Sequence, residues 1–310
     1  MDLFYIISNQ LFQFFVMMVC GYIAARRGIL SQPSLDVLSK VIIGILLPIL
    51  IFANAMNGTT RQVLFDCYAM ILLSAGIYGG LIIVQAVMAR LLGRRGNLGR
   101  IYQATMIYGN VGFLGIPLLS AAFPERGGLY IALFSIIDQL VLWTYGMYLT
   151  TPGEKKAAFS LKKFFNPALC AIVLAIVLIL AGIGLPNVLE TSLLTVGRAA
   201  TPLSLLYLGG LIYYTDWSVG AKTKDLYAGI ATKMLLFPVA FFLVARSLCG
   251  DLEMVQAATL IAALPTMAAV AMFAQSNRNH GDYALSMVLL TTVACLGTMT
   301  VVAYLIFNVL

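Results

Sequence analysis

Residues able to do acid–base or nucleophilic chemistry are scarce in this 310-residue chain, so each one inside an apolar run carries weight. Asp138, in FSIIDQLVLW, is the one carboxylate set deep in such a run. An acid there is costly to bury; it could carry a proton or help to hold a cation, and a carboxylate bonded to a neighbouring helix is the structural alternative. Lys40, Arg198 and Lys233 lie within about two or three turns of the ends of apolar runs, where a long side chain reaches the membrane interface. Lys233 is the deepest of the three and a conceivable partner for Asp138. His280 is the only histidine, which removes His-cluster metal sites and the usual catalytic triads and leaves a solvated loop histidine as the plain reading. Cys20, Cys67, Cys170, Cys249 and Cys295 stand singly in apolar segments and read as small buried hydrophobes, with neither a disulfide framework nor a metal site. HExxH, GxGD and DDxxD patterns are missing, so no enzyme, cofactor or metal is expected.

Backbone groups offer more chemistry than side chains. The stretch YGNVGFLGIPLL, Tyr108 to Leu119, places Gly109, Gly112, Gly115 and Pro117 inside a run apolar enough for a bilayer. A second run, IAALPTMAAVAMFA, carries Pro265 at its middle. Proline removes a helix hydrogen bond and clashes with the preceding turn, and each glycine costs about 1 kcal/mol relative to alanine. If both helices break at these prolines, two half-helix N-termini end inside the membrane, each with open amides and about half a positive charge. Such a place suits an anion, with Asn110 beside the first break and Thr266 beside the second. Proline kinks with tight glycine packing are the structural alternative. Asn54, after Pro48, could add an amide and Tyr207 a ring to the same cavity. The glycines do not form a dinucleotide loop, because no strand precedes them.

These groups must be positioned by membrane helices. The chain is 61% hydrophobic and 10% charged, with mean hydropathy +0.96, against about 25% charged residues in an ordinary soluble domain. Ten spans are expected at residues 3–25, 35–56, 66–89, 101–123, 128–150, 166–185, 193–215, 225–248, 253–276 and 282–309. The first has no basic residue ahead of it and no cleavage site behind it, so it reads as a retained helix. The net charge of +7 is concentrated in alternate loops, at Arg26 and Arg27, Arg94 and Arg95, Lys155 and Lys156, Lys222 and Lys224, and Arg278. The positive-inside rule therefore predicts both termini outside, and the basic balance reports orientation, with no nucleic-acid partner.

The polar stretch 151–165 divides the spans into residues 1–150 and 166–310, five helices each. An odd number inverts the second set, which predicts an inverted repeat. LLPILIF around Pro48 corresponds to ATPLSLL around Pro202, and GIPLL at Pro117 to ALPTM at Pro265, at nearly one offset.

YGNVGFLGIPLL, together with LLPILIFANA, TPLSLLYLGGLI and IAALPTMAAVAMFA, resembles the auxin efflux carrier family over essentially the whole chain. Its bacterial branch is usually described as malate, malonate or other organic-acid permeases, and plant members export the indole carboxylate auxin. The resemblance implies an all-α integral membrane fold of about ten helices in two inverted repeats. Helices 4 and 9 would break at Pro117 and Pro265 and cross, and a crossed-helix transport domain would move against a scaffold. It carries the substrate-facing asparagine over to Asn110, and it implies a small-molecule carboxylate (malate, malonate or indole-3-acetate-like) and membrane lipid as partners. The long central loop of plant members is replaced here by the short linker near Lys155, so their loop phosphorylation does not transfer.

The expected function is thus a secondary transporter of a small organic carboxylate in the cell (inner or plasma) membrane, moving by an elevator or rocking motion. A cation-coupled symporter or antiporter and a membrane receptor remain alternatives, and a homodimer stays open. The crossing segments hold no Asp or Glu, which argues against a cation site there, and Asp138 is the candidate coupling group.

Overall fold

The computed structural model describes residues 3–57, 59–153, 167–216 and 218–310, so most of the linker expected at 151–165 lies outside the described residues. The regular structure of these residues is helical, with no strand among them. In chain order the helices are α1 (Leu3–Arg26), α2 (Gln32–Met56), α3 (Arg61–Leu91), α4 (Gly96–Ile107), α5 (Val111–Ala122), α6 (Gly127–Thr150), α7 (Pro167–Ala181), α8 (Asn187–Arg198), α9 (Ala200–Tyr214), α10 (Ser218–Ala221), α11 (Lys224–Leu248), α12 (Leu252–Ala262), α13 (Ala268–Ser276) and α14 (Gly281–Val309). Six of these segments, α1, α2, α3, α6, α11 and α14, are long and apolar enough to cross a membrane, and α5, α7 and α12 are shorter apolar helices.

Three prolines share one local solution. Pro48, Pro117 and Pro238 each sit two residues beyond a π-helical stretch, Ile42–Leu46, Val111–Gly115 and Ile230–Leu236 respectively. The wider turn absorbs the ring and the missing donor, so the helix continues past the proline. Helix 4 of the sequence reading therefore does not break at Pro117. The interruption lies at Tyr108–Asn110, between α4 and α5, whereas Pro265 does lie inside the interruption between α12 and α13.

The described residues fall into two compact units. One is drawn from Met1–Leu72, Gly112–Ile137 and Leu161–Tyr214, the other from Leu73–Val111, Asp138–Ser160 and Thr215–Leu310. Each unit takes helices from both halves of the chain, and the chain passes between units inside α3, at the start of α5 and inside α6.

In the first unit α1 packs along α9, and α7 and α8 pack on α2. The α1–α9 approach depends on glycine: a Cβ at Gly21 would lie 2.1 Å from the Leu206 carbonyl oxygen, and one at Gly209 would lie 1.9 Å from that of Met18. Such contact is impossible for any larger residue, and it is the small-residue packing that lets membrane helices touch backbone to backbone.

In the second unit α14 lies against α10, α11 and α13, and α4 packs on the end of α6. The Asp225 carboxylate, 1% exposed, ties α11 to α14 and to the α3–α4 loop: Arg94 Nε donates to it at 2.9 Å and the Tyr283 hydroxyl donates at 2.9 Å.

The reading of the cysteines changes in part, and that of His280 as a solvated loop residue holds. Cys67 and Cys295 are buried, but Cys20 and Cys170 are exposed on the flanks of α1 and α7, as suits a weakly polar side chain facing an apolar surround. His280 is exposed and starts α14 from a left-handed conformation at φ 49°.

Candidate functional site

Within the second unit the two interruptions meet. Tyr108–Asn110 and Pro265–Met267 run antiparallel and pair as a short bridge between Gly109 and Thr266. Asn110 N–H donates to the Pro265 carbonyl at 2.8 Å, and Met267 N–H donates to the Tyr108 carbonyl at 3.0 Å. Gly109 permits the approach, since a Cβ there would lie 3.2 Å from Leu264 Cβ and 3.4 Å from the Ile261 carbonyl oxygen.

Backbone groups freed from a helix in an apolar setting must find partners, and most find them inside the protein. Thr266 N–H donates to Thr291 Oγ1 at 3.1 Å, and Thr266 Oγ1 donates to the Thr105 carbonyl at 2.7 Å. Val111 N–H turns back to the Gly109 carbonyl at 2.9 Å. The amides that the sequence leaves for a ligand are thus largely spent on stitching the crossing. The start of α13 has Met267 as its N-cap, and no side chain caps it. Asn110, 2% exposed, sits at the crossing immediately before α5.

Lys233 supplies an amine that the sequence reading did not place here. It is fully buried, and its amine donates to the Tyr108 carbonyl at 2.9 Å, the same oxygen that receives Met267 N–H. Neither snorkelling to an interface nor pairing with Asp138 describes it. The π stretch Ile230–Leu236 sets its direction, and no local sequence signal names a carbonyl so far along the chain as its partner.

Asp138, 1% exposed, is held in the same unit by other groups. The Tyr78 hydroxyl donates a short hydrogen bond to one carboxylate oxygen, and Gln139 Nε2 donates to the other at 3.0 Å. Trp143 Nε1 in turn orients Gln139 at 3.2 Å. The Tyr78 ring lies 5.8 Å from the Tyr108 ring, and the Tyr108 hydroxyl donates to the Val141 carbonyl at 2.9 Å. A continuous set of contacts therefore runs from Lys233 through Tyr108 and Tyr78 to Asp138.

The other expected site residues lie in the first unit. Asn54 and Pro117 line one cavity there, Gly112 sits against Leu47 of α2, and Tyr207 meets Phe113 edge to face with centroids 6.1 Å apart. The sequence reading thus resolves into a crossing group, Gly109, Asn110, Pro265 and Thr266, and a separate group around Asn54 and Pro117. It named Lys233 without placing it at the crossing, and it missed Thr105 and Thr291. Thr291 alone left a trace, as half of a threonine pair in the apolar run LLTTVAC.

Comparison with known proteins gives one consistent answer. A family model described as membrane transport protein matches residues 6–159 and 156–303. Similar curated proteins are the uncharacterized transporter YfdV of Escherichia coli, 24% identical over 272 residues that cover 83% of this chain and 84% of that one, and an uncharacterized transporter of Methanothermobacter thermautotrophicus, 24% identical over 291 residues covering 91% and 92%. The uncharacterized transporter MJ1031 of Methanocaldococcus jannaschii is 27% identical over 209 residues, covering 63% and 65%.

Proposed function

Because the chain belongs to the membrane transport protein family, the group to which its resemblance pointed, we propose that it is a secondary transporter for a small organic carboxylate, with the crossing as its binding site. The single observation that carries this is a buried amine, Lys233, fixed on the carbonyl of an interrupted helix beside Asn110 and the uncapped start of α13. An amine that can hold a proton, a carboxamide and helix-terminal amides are groups that bind an anion in a membrane protein. An acidic residue would be needed there for a cation carrier, and neither crossing segment has one.

In this reading ten spans form two inverted repeats, both termini lie outside, and the unit holding the crossing moves against the unit built on α1, α2, α7 and α9. An inside-negative potential drives an anion outward by about 2.3 kcal/mol per charge per 100 mV, so export needs no coupled ion. Asp138, connected to the crossing through Tyr78 and Tyr108, is the group assigned to proton coupling.

Liposomes containing the purified protein and loaded with radiolabelled malate, malonate or indole-3-acetate test the proposal. An imposed inside-negative potential is expected to release at least one of them faster than from protein-free vesicles. No carboxylate flux at any potential refutes it.

A further inference from the structure

The cavity lined by Asn54 and Pro117 has chemistry of its own. It measures about 250 Å³, room for about eight waters at roughly 30 Å³ each. Close helix contacts build its walls. A Cβ at Gly128, the second residue of α6, would lie 2.7 Å from the Asn54 carbonyl oxygen, and one at Gly197, near the end of α8, would lie 2.8 Å from Leu50 Cα. Both approaches press directly on the α2 backbone, so α6 and the α8–α9 joint are fixed around Asn54.

Two ionic groups line this cavity, Arg198 and Glu125. Arg198 forms no ion pair with a described residue, and neither does Glu125. Both side chains are exposed, and no ion pair joins them. The Ser120 hydroxyl, also in the lining, is buried and has no hydrogen-bond partner among the described residues. An ion pair of their own would let Arg198 and Glu125 satisfy each other; left unpaired, they suit a ligand that bears both a carboxylate and a hydrogen-bond donor.

We propose that this cavity binds a small carboxylate that bears a hydrogen-bond donor, a hydroxy acid or an amino acid. Arg198 takes the carboxylate, Glu125 accepts from the ligand's hydroxyl or ammonium group, and Asn54 and Ser120 bond along its length. A guanidinium binds a carboxylate through paired, charge-assisted hydrogen bonds. A site that accepts from a hydroxyl discriminates against the analogue without one. The inference rests on the carboxylate-carrier reading and narrows its substrate class. The cavity is distinct from the crossing and has its own residues.

Equilibrium binding of radiolabelled malate to the full-length protein in detergent, with unlabelled succinate as competitor, tests this. The measurement is made in the Asn110→Ala background, so that binding at the crossing does not contribute. Malate is expected to bind at least about fivefold more tightly than succinate. Arg198→Gln should weaken malate about tenfold, Arg198→Lys should recover part of it, and Glu125→Ala, which removes the acceptor, should erase the preference over succinate. Thermal unfolding of each variant checks that the fold is kept. Equal affinity for malate and succinate, malate binding untouched by Arg198→Gln, or no saturable malate binding in the Asn110→Ala protein overturns the proposal. Loss of Arg198-dependent binding with Asn110-dependent transport intact sinks the cavity alone; the reverse sinks only the crossing.

Discussion

Lys233→Met separates what a group does for the fold from what it does for the ligand. In the protein the Lys233 amine is fully buried and, among the described residues, has one hydrogen bond, 2.9 Å to the Tyr108 carbonyl. A hydrogen bond from a charged donor contributes about 1.5–3 kcal/mol. Against it stands the desolvation of the ammonium, several kcal/mol for an ion taken out of water. Removing the lysine leaves no orphaned acceptor either, because Met267 N–H still donates to Tyr108 at 3.0 Å. Methionine fills much of the same volume. Lys233→Met is therefore expected to unfold in detergent at the same temperature as wild type, or a higher one. Carboxylate binding should go the other way: losing one partner of a close charge pair costs about 2 kcal/mol or more, a thirtyfold rise in Kd. Thermal unfolding followed by intrinsic fluorescence and equilibrium binding on the same samples measure both. A variant that unfolds well below wild type refutes the desolvation argument, and one that binds carboxylate with unchanged affinity refutes the ligand role of Lys233.

Other perturbations follow from the same contacts. Thr291→Val removes the acceptor of Thr266 N–H and leaves a buried amide unpaired, which should cost about 1–3 kcal/mol and appear as faster hydrogen exchange at Thr266. Gly209→Ala forces a Cβ onto the Met18 carbonyl and should lower the unfolding temperature, whereas Gly79→Ala, with nothing within 4 Å of the new Cβ, should hold or raise it. Asp225→Ala strips Arg94 and Tyr283 of their shared partner; because the Arg94 side chain is 32% exposed, the expected loss is about 2 kcal/mol, below that of a fully buried pair. If Asp138 carries the coupled proton, wild-type flux should respond to a pH gradient and Asp138→Asn flux should not; a wild type indifferent to pH removes the coupling role.

Much of the helix layout was legible because an apolar run of about twenty residues leaves few choices. The segments from Leu3–Arg26 to Gly281–Val309 fall close to the runs read from composition. Interruptions were legible in kind and misplaced in one case. Pro117 carried the strongest local signal, yet a π turn just before it lets the helix run on. The break is instead at Gly109 and Asn110, because Pro265 and Thr266 offer those residues an alternative hydrogen-bonding partner, and that pairing joins segments far apart in sequence. Lys233 was given the wrong partners for the same reason. A lysine two or three turns from a helix end reads as an interfacial anchor until its acceptor, the Tyr108 carbonyl, is known. The depth of Asp138 was plain from its apolar neighbours, but its ties to Tyr78 and Gln139 were visible only in three dimensions.

The central claim, that a carboxylate is carried through the helix crossing, rests most directly on Asn110. Flux of radiolabelled malate and malonate should be compared between wild-type and Asn110→Ala liposomes at equal protein content and equal unfolding temperature. Wild type is predicted to transport at least one of the two, with flux in Asn110→Ala lower by about a hundredfold or more, equivalent to about 2.7 kcal/mol. Asn110→Ala transport at the wild-type rate would contradict the account.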